Sequence, residues 1–195
     1  MSLLLAGLTG LAAGSTHVVS GPDHLAAVLP LAVEGRRRAA ATGAWWGVGH
    51  AAGVVLLGAV GHLLADRLDI EVLSASSEIA VGVLLIGLGG WTLWRSAQPP
   101  SDRPRHTHRS AVGIGFLHGT AGAGHLFGVL PSLGMGPGTA VVYLGAYMMA
   151  AVASMALFAL GAGVLASKPS HVPWALRGAG VAAVGVGIAW VALAA

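Results

Sequence analysis

Two segments of this chain place histidines at a fixed spacing inside apolar sequence. Residues 17–30 read HVVSGPDHLAAVLP, and residues 118–131, 101 positions later, read HGTAGAGHLFGVLP. Both fit H-x-x-x-G-x-x-H-L-x-x-V-L-P. Seven of fourteen positions are identical, and Gly14 with Gly115 adds an eighth just upstream. His17 pairs with His118, Gly21 with Gly122 and His24 with His125. Histidine is a rare choice in an apolar run, so its repetition is the informative part. Imidazoles beside a carboxylate, Asp23, are the donor set of a transition-metal site. The chain has no cysteine, which removes thiolate ligands, disulfides and thiol redox chemistry.

Spacing constrains how such a site is built. Seven residues along a straight helix span about 10.5 Å with both side chains on one face. Metal–nitrogen bonds are only about 2.0–2.1 Å, so two imidazoles held that way barely reach one ion. A break in the helix closes the gap. Gly21-Pro22 supplies it in the first copy, and Gly119, Gly122 and Gly124 in the second. Asp23 has no counterpart, since Gly124 stands at its position. The site is therefore expected to be asymmetric, with one carboxylate. A charged Asp within a span costs roughly 2.5–3.5 kcal/mol, which a cation offsets. Capping the helix after Pro22 is the plainer role for Asp23 and is compatible with binding. His50, in AWWGVGHAAG, falls about 15 Å into its helix and joins as a ligand or as support for one. The candidate metal ligands are thus His17, Asp23, His24, His50, His118 and His125. Such a set suits nickel, cobalt, zinc, copper or iron better than magnesium or calcium.

Other polar residues read more simply. His106 and His108 lie in a basic linker, and His62 and His171 near loops. Residues 66–71 and Glu78 form an acidic patch that solvent explains. Met135, Met148, Met149 and Met155 suit packing; Trp91, Trp94, Trp174 and Trp190 suit interfacial belts.

The elements that carry these residues are membrane helices. Of 195 residues, 55% are hydrophobic and 9% charged, against about 25% charged in soluble domains. Mean hydropathy is +0.79. Six spans are expected at roughly 3–33, 41–64, 76–95, 110–133, 138–166 and 174–194. The first is too long for one straight helix, and the break at Gly21-Pro22 divides it. Residues 1–14 lack a basic leader, so no cleavable signal peptide is expected. The 31 glycines sit in the apolar runs, where they let helices approach closely. Nine of the ten basic residues fall on loops one, three and five: Arg36, Arg37 and Arg38 on the first, Arg95, Arg103, Arg105 and Arg109 on the third, and Lys168 and Arg177 on the fifth. The positive-inside rule then places those loops in the cytoplasm and both termini outside a cytoplasmic (inner) membrane. This orientation signal accounts for the pI near 10.2 without nucleic acid.

The expected fold is therefore an all-α integral membrane protein. Its six transmembrane helices form two inverted three-helix repeats, with the first and fourth helices broken. Residues 1–95 make the first repeat, 96–109 a cytoplasmic linker and 110–195 the second repeat. Later spans echo weakly: Gly43-Ala44-Trp45 resembles Gly145-Ala146-Tyr147, and Gly82, Gly87 and Gly89 resemble Gly180, Gly185 and Gly187. Secondary transporters built this way bind cargo near the midplane, on interrupted helices at the repeat interface.

The run HVVSGPDHL resembles the nickel/cobalt transporter superfamily. The match is closest to its six-span, urease-accessory-type membrane permeases, through residues 17–27, Trp46 to His50 in WGVGH, and residues 118–131. Five residues separate His17 from Asp23 here, where the family's eight-span members have four. The resemblance implies transport of nickel or cobalt, with metal recognition at His17, Asp23 and His24, and by extension at His50, His118 and His125. The expected function is transport of a divalent transition-metal cation by alternating access. The cation is cargo; no tightly bound cofactor is expected. The bilayer is the other partner, and a homo-oligomer is left open. A membrane metalloenzyme is the alternative, as is the same fold with another small solute. No HExxH helix is present, no second carboxylate joins Asp23 as a base, and no span interior carries the Arg or Lys an anion would favour.

Overall fold

The chain is described from a computed structural model. It covers residues 1–33, 38–63, 70–99, 108–121, 128–166, 168 and 170–194, and side chains of all of these except 60–63 and 70–75. Within them lie seven α-helices and no strand: α1 Leu3–Ser20, α2 Pro22–Val33, α3 Ala39–Leu63, α4 Ile70–Ser96, α5 His108–Thr120, α6 Pro137–Leu165 and α7 Val172–Ala194. A short 3-10 helix, Leu130–Gly134, precedes α6.

Five of these helices are long and apolar enough to cross a membrane: α1, α3, α4, α6 and α7. Their surfaces agree. Leu4, Leu133, Val141, Leu157, Leu165 and Leu193 point outward, while Asp23, His24, His50, Thr92 and His118 are buried. Water would favour the reverse arrangement; hydrocarbon favours this one.

The break between α1 and α2 follows from local chemistry. Ser2 opens α1, its hydroxyl accepting from the Leu5 amide at 3.3 Å. Pro22 has no amide hydrogen to return to α1, and its ring excludes Gly21 from helical geometry. Gly21 accordingly adopts φ −88°, ψ 96°, and its amide turns to the Val18 carbonyl. Proline is then well placed to start α2. Nine of the twelve α2 residues are buried. Val28 and Leu31 join Val18, Trp46, Leu85 and Met155 in the main apolar core.

Helix α1 packs on α6, α3 on α5 and α6, and α4 on α7, with α2 against α6, α7 and α3. Small residues set the closest approaches. A methyl group on Gly14 would overlap the Tyr147 carbonyl, and one on Gly115 the Trp46 carbonyl. Between α4 and α7 a Cβ on Gly82 would stand 2.7 Å from the Gly187 carbonyl oxygen, and one on Gly187 2.6 Å from that of Gly82. Gly89 and Gly180 meet in the same reciprocal way.

Several boundaries differ from the sequence reading. Helix α4 begins at Ile70, so Glu71 is helical rather than in a loop. In the fourth expected span, α5 accounts for only thirteen residues, and residues 122–127 lie outside the described set. Arg95 is not a solvated loop charge. It ends α4, 1% exposed, with its guanidinium 4.5 Å from the Trp91 ring centre; burial of its stem and cation–π contact both favour that position. Arg177 lies within α7 above Trp174. Trp190 packs partly against the core instead of sitting wholly at an interface.

Gly115→Ala is expected to lower stability by about 1–3 kcal/mol, because the Trp46 backbone cannot yield as a side chain can. Gly113→Ala, two residues away and facing open space, is expected to change it by less than about 0.5 kcal/mol. Thermal unfolding of both in detergent makes the comparison; equal midpoints would contradict the packing described.

Candidate metal centre

Four helices converge on one buried point. His17 occupies the last turn of α1, and Asp23 and His24 the first turn of α2. His50 is the twelfth of twenty-five residues in α3, and His118 lies in the last turn of α5. The break brings together what a straight helix would hold apart: the His17 and His24 rings are 4.6 Å apart between centres. His24 is also 4.9 Å from His50 and 5.0 Å from His118. His24, His50 and His118 are 0–3% exposed and His17 is half-buried.

Asp23 links two of these rings. Its Oδ1 lies 3.0 Å from His24 Nδ1 and its Oδ2 3.2 Å from His118 Nε2. A carboxylate only accepts, so each facing nitrogen donates an N–H in this arrangement. These contacts join α2 to α5 across 95 residues of sequence. At 5% exposure Asp23 has little access to solvent, and the imidazoles replace the water it has lost. It also stands in the first turn of α2, where the helix dipole favours negative charge.

Gly21 leaves room for the cluster. A Cβ there would overlap His24 Nδ1 and come within 3.0 Å of Asp23 Oδ1. Its φ is ordinary for any residue; the requirement is space. Trp46 and Tyr147 form walls that sequence reasoning did not assign. The Trp46 indole is fully buried and stacks on His50, with centres 5.2 Å and planes 9° apart; it also lies 5.3 Å from His118. Tyr147 lies 5.6 Å from His17. Trp46 precedes His50 by four residues, a helical-face spacing, and Tyr147 follows Trp46 by 101 positions, the offset of the two motifs. Both signals were present in the sequence, although the echo of Gly43-Ala44-Trp45 in Gly145-Ala146-Tyr147 pairs Tyr147 with Trp45, one position off this register. The Tyr147 hydroxyl and the Trp46 indole N–H are buried with no hydrogen-bond partner among the described residues.

Two ligand groups emerge, His17/His24/His50 and Asp23/His24/His118. Within each, one ligand atom per residue lies within 4.8 Å of the others. Donors around a tetrahedral ion stand about 3.3 Å apart, so closing on an ion takes a side-chain adjustment of about an ångström. Of the six candidates, five come together. His125 lies outside the described residues, as do His106 and the acidic positions Asp66 and Asp69. His108 is exposed beside Trp45, and His171 is exposed; neither belongs to a group.

The chain is similar to three curated proteins. Over 93 residues, 47% of its length, it is 44% identical to chloroplast protein FOR GROWTH AND FERTILITY 1 of Arabidopsis thaliana, covering 26% of that protein. Over 100 residues, half its length, it is 43% identical to chloroplast protein FOR GROWTH AND FERTILITY 2, covering 27%. With urease accessory protein UreH of Bacillus sp. (strain TB-90) it shares 26% identity over 131 residues, 58% of this chain and 57% of that one. The chain thus spans about a quarter of the length of the two chloroplast proteins. No protein-family profile and no solved structure matches it.

Gly21→Ala is expected to weaken binding of divalent cobalt, used as a probe ion, by about 10–100-fold, since it displaces His24 and Asp23 without removing either. Cobalt titration followed by absorbance tests this; unchanged affinity would mean that Gly21 does not shape the site.

Proposed function

We propose that this chain carries a divalent transition-metal cation, nickel or cobalt, across a membrane. The observation that carries the reading is the clustering of three buried histidines, a half-buried fourth and one buried carboxylate at a helix break. In a chain whose outer face is apolar, such a cluster costs stability, and ionisable groups placed there are functional by default. Imidazole nitrogen with one carboxylate oxygen is a donor set that these metals favour. Similarity to a protein named for an accessory role in urease agrees with the permease branch that the motifs resemble. The proposed ligands are His17, Asp23, His24, His50 and His118, with His125 added from the repeat.

Alternating access is proposed through two inverted three-helix repeats, residues 1–95 and 110–195, joined by the linker 96–109. Reciprocal contacts support this. Gly14 and Gly115 are 101 positions apart; each meets the carbonyl of an aromatic residue, Tyr147 and Trp46, themselves 101 apart. Exchanging the halves turns one contact into the other. Gly82 and Gly180, and Gly89 and Gly187, are each 98 positions apart, and at that offset the exchange also turns the Gly82–Gly187 contact into Gly180–Gly89. A two-fold axis between the halves produces such swaps. Basic residues in or beside loops one, three and five favour placing those loops on the cytoplasmic side of a cytoplasmic membrane, with both termini outside. The enzyme alternative is the weaker one, because the single clustered carboxylate already accepts from two imidazoles and is poorly placed as a base.

Radiolabelled nickel flux into proteoliposomes tests the function. Wild type is expected to move nickel above the protein-free background, and His24→Ala to fall to that background. Equal flux in both would falsify the proposed site.

A further inference from the structure

Two ligand groups that share one residue are not simply one large site. His17, His24 and His50 form the first; Asp23, His24 and His118 form the second. We propose that they are two successive stations for one ion, with His24 as the ligand held throughout. The inference rests on the metal-transport reading above.

Three observations carry it. First, His24 is within 5.0 Å, centre to centre, of His17, His50 and His118, and meets each edge-on, with interplanar angles of 73–80°. It is the hub; the other rings surround it. Secondly, the groups differ in charge. The first is three imidazoles, while the second contains the Asp23 carboxylate. A dication is therefore held more tightly at the second, and the stations are unequal. Thirdly, each station owns the leading histidine of one motif copy. His17 opens the first copy and His118 the second, 101 positions on. The hand-over thus runs from a histidine of one half to its counterpart in the other.

Ligand exchange around a fixed His24 keeps the ion coordinated throughout. Bonds to His17 and His50 break as bonds to Asp23 and His118 form, and a naked dication never faces the apolar core, where its desolvation would be prohibitive. A neutral imidazole carries one N–H: with its own facing Asp23, His24 offers the opposite ring nitrogen to the ion at both stations, while in His118 moving the hydrogen to the ring nitrogen turned away from Asp23 frees the facing nitrogen for the ion, with no net proton gained or lost. Two ions cannot occupy the stations together, because they would compete for His24 and repel at short range.

Divalent cobalt alone, added to the full-length chain in detergent, tests the proposal. Wild type is expected to bind one ion. His50→Ala and His118→Ala each leave one station able to hold the ion. Both are expected still to bind one ion, His50→Ala near wild-type affinity because it keeps the tighter station and His118→Ala at affinity lowered by about 10–100-fold, with cobalt absorption spectra that differ from each other. His24→Ala and His24→Gln, melting and eluting like wild type, are expected to bind no cobalt. Both single-station variants are expected to lose nickel flux. Loss of binding in His50→Ala or His118→Ala as complete as in His24→Ala overturns the two stations in favour of one site. So do two ions bound to wild type, or wild-type flux in either variant. Wild type that binds no cobalt at all overturns the metal reading itself, which separates the two failures.

Discussion

Everything at this site depends on where the Asp23 carboxylate finds its donors. Buried at 5% exposure among apolar helices, it has too little water to satisfy it. Two imidazoles from different parts of the chain do so instead, at 3.0 and 3.2 Å. An ionised carboxylate without them would be strongly unfavourable in that medium. The demand has structural consequences. It fixes the orientation of His24, ties α5 to the start of α2, and requires that the chain turn at Gly21 so that both neighbours can reach. Asp23 orients the histidines as much as it contributes charge.

Backbone proximity makes that geometry possible. The helices carrying the histidines lie so close to their neighbours that a side chain on Gly14 would overlap the Tyr147 carbonyl and one on Gly115 the Trp46 carbonyl. In an apolar medium there is no hydrophobic force to draw helices together, so close packing at small residues supplies the adhesion. The same two contacts place an aromatic wall beside each leading histidine: Tyr147 by His17 and Trp46 by His118. Packing and site are therefore one design. A glycine whose loss parts two helices also moves the ring that borders the cluster.

Much of this was legible in the sequence, and the reasons are local. Gly21-Pro22 announces a break because proline's missing amide acts on the adjacent turn, and the structure ends α1 at Ser20 and starts α2 at Pro22. The histidine spacing pointed to a cluster because both copies carry it; His17 and His118 each group with His24, while His125 lies outside the described residues. Less was legible where the outcome depends on distant partners. Arg95 looked like a loop charge, and its burial against Trp91 depends on where α4 ends. That Asp23 would bridge His24 and His118 required knowing that α5 meets α2, which no spacing encodes. Trp46 was seen only as part of a motif. Its stacking on His50 follows from helical spacing, but its contact with His118 does not.

The central claim is that the buried cluster holds a transition-metal ion by its imidazoles. X-ray absorption at the nickel edge of the nickel-loaded, full-length protein tests it most directly. The account predicts a shell of about two imidazole nitrogens near 2.0–2.1 Å beside carboxylate oxygen, with the outer-ring scattering that identifies histidine. A spectrum showing only oxygen neighbours without imidazole scattering, or protein that retains no nickel after desalting, would contradict it.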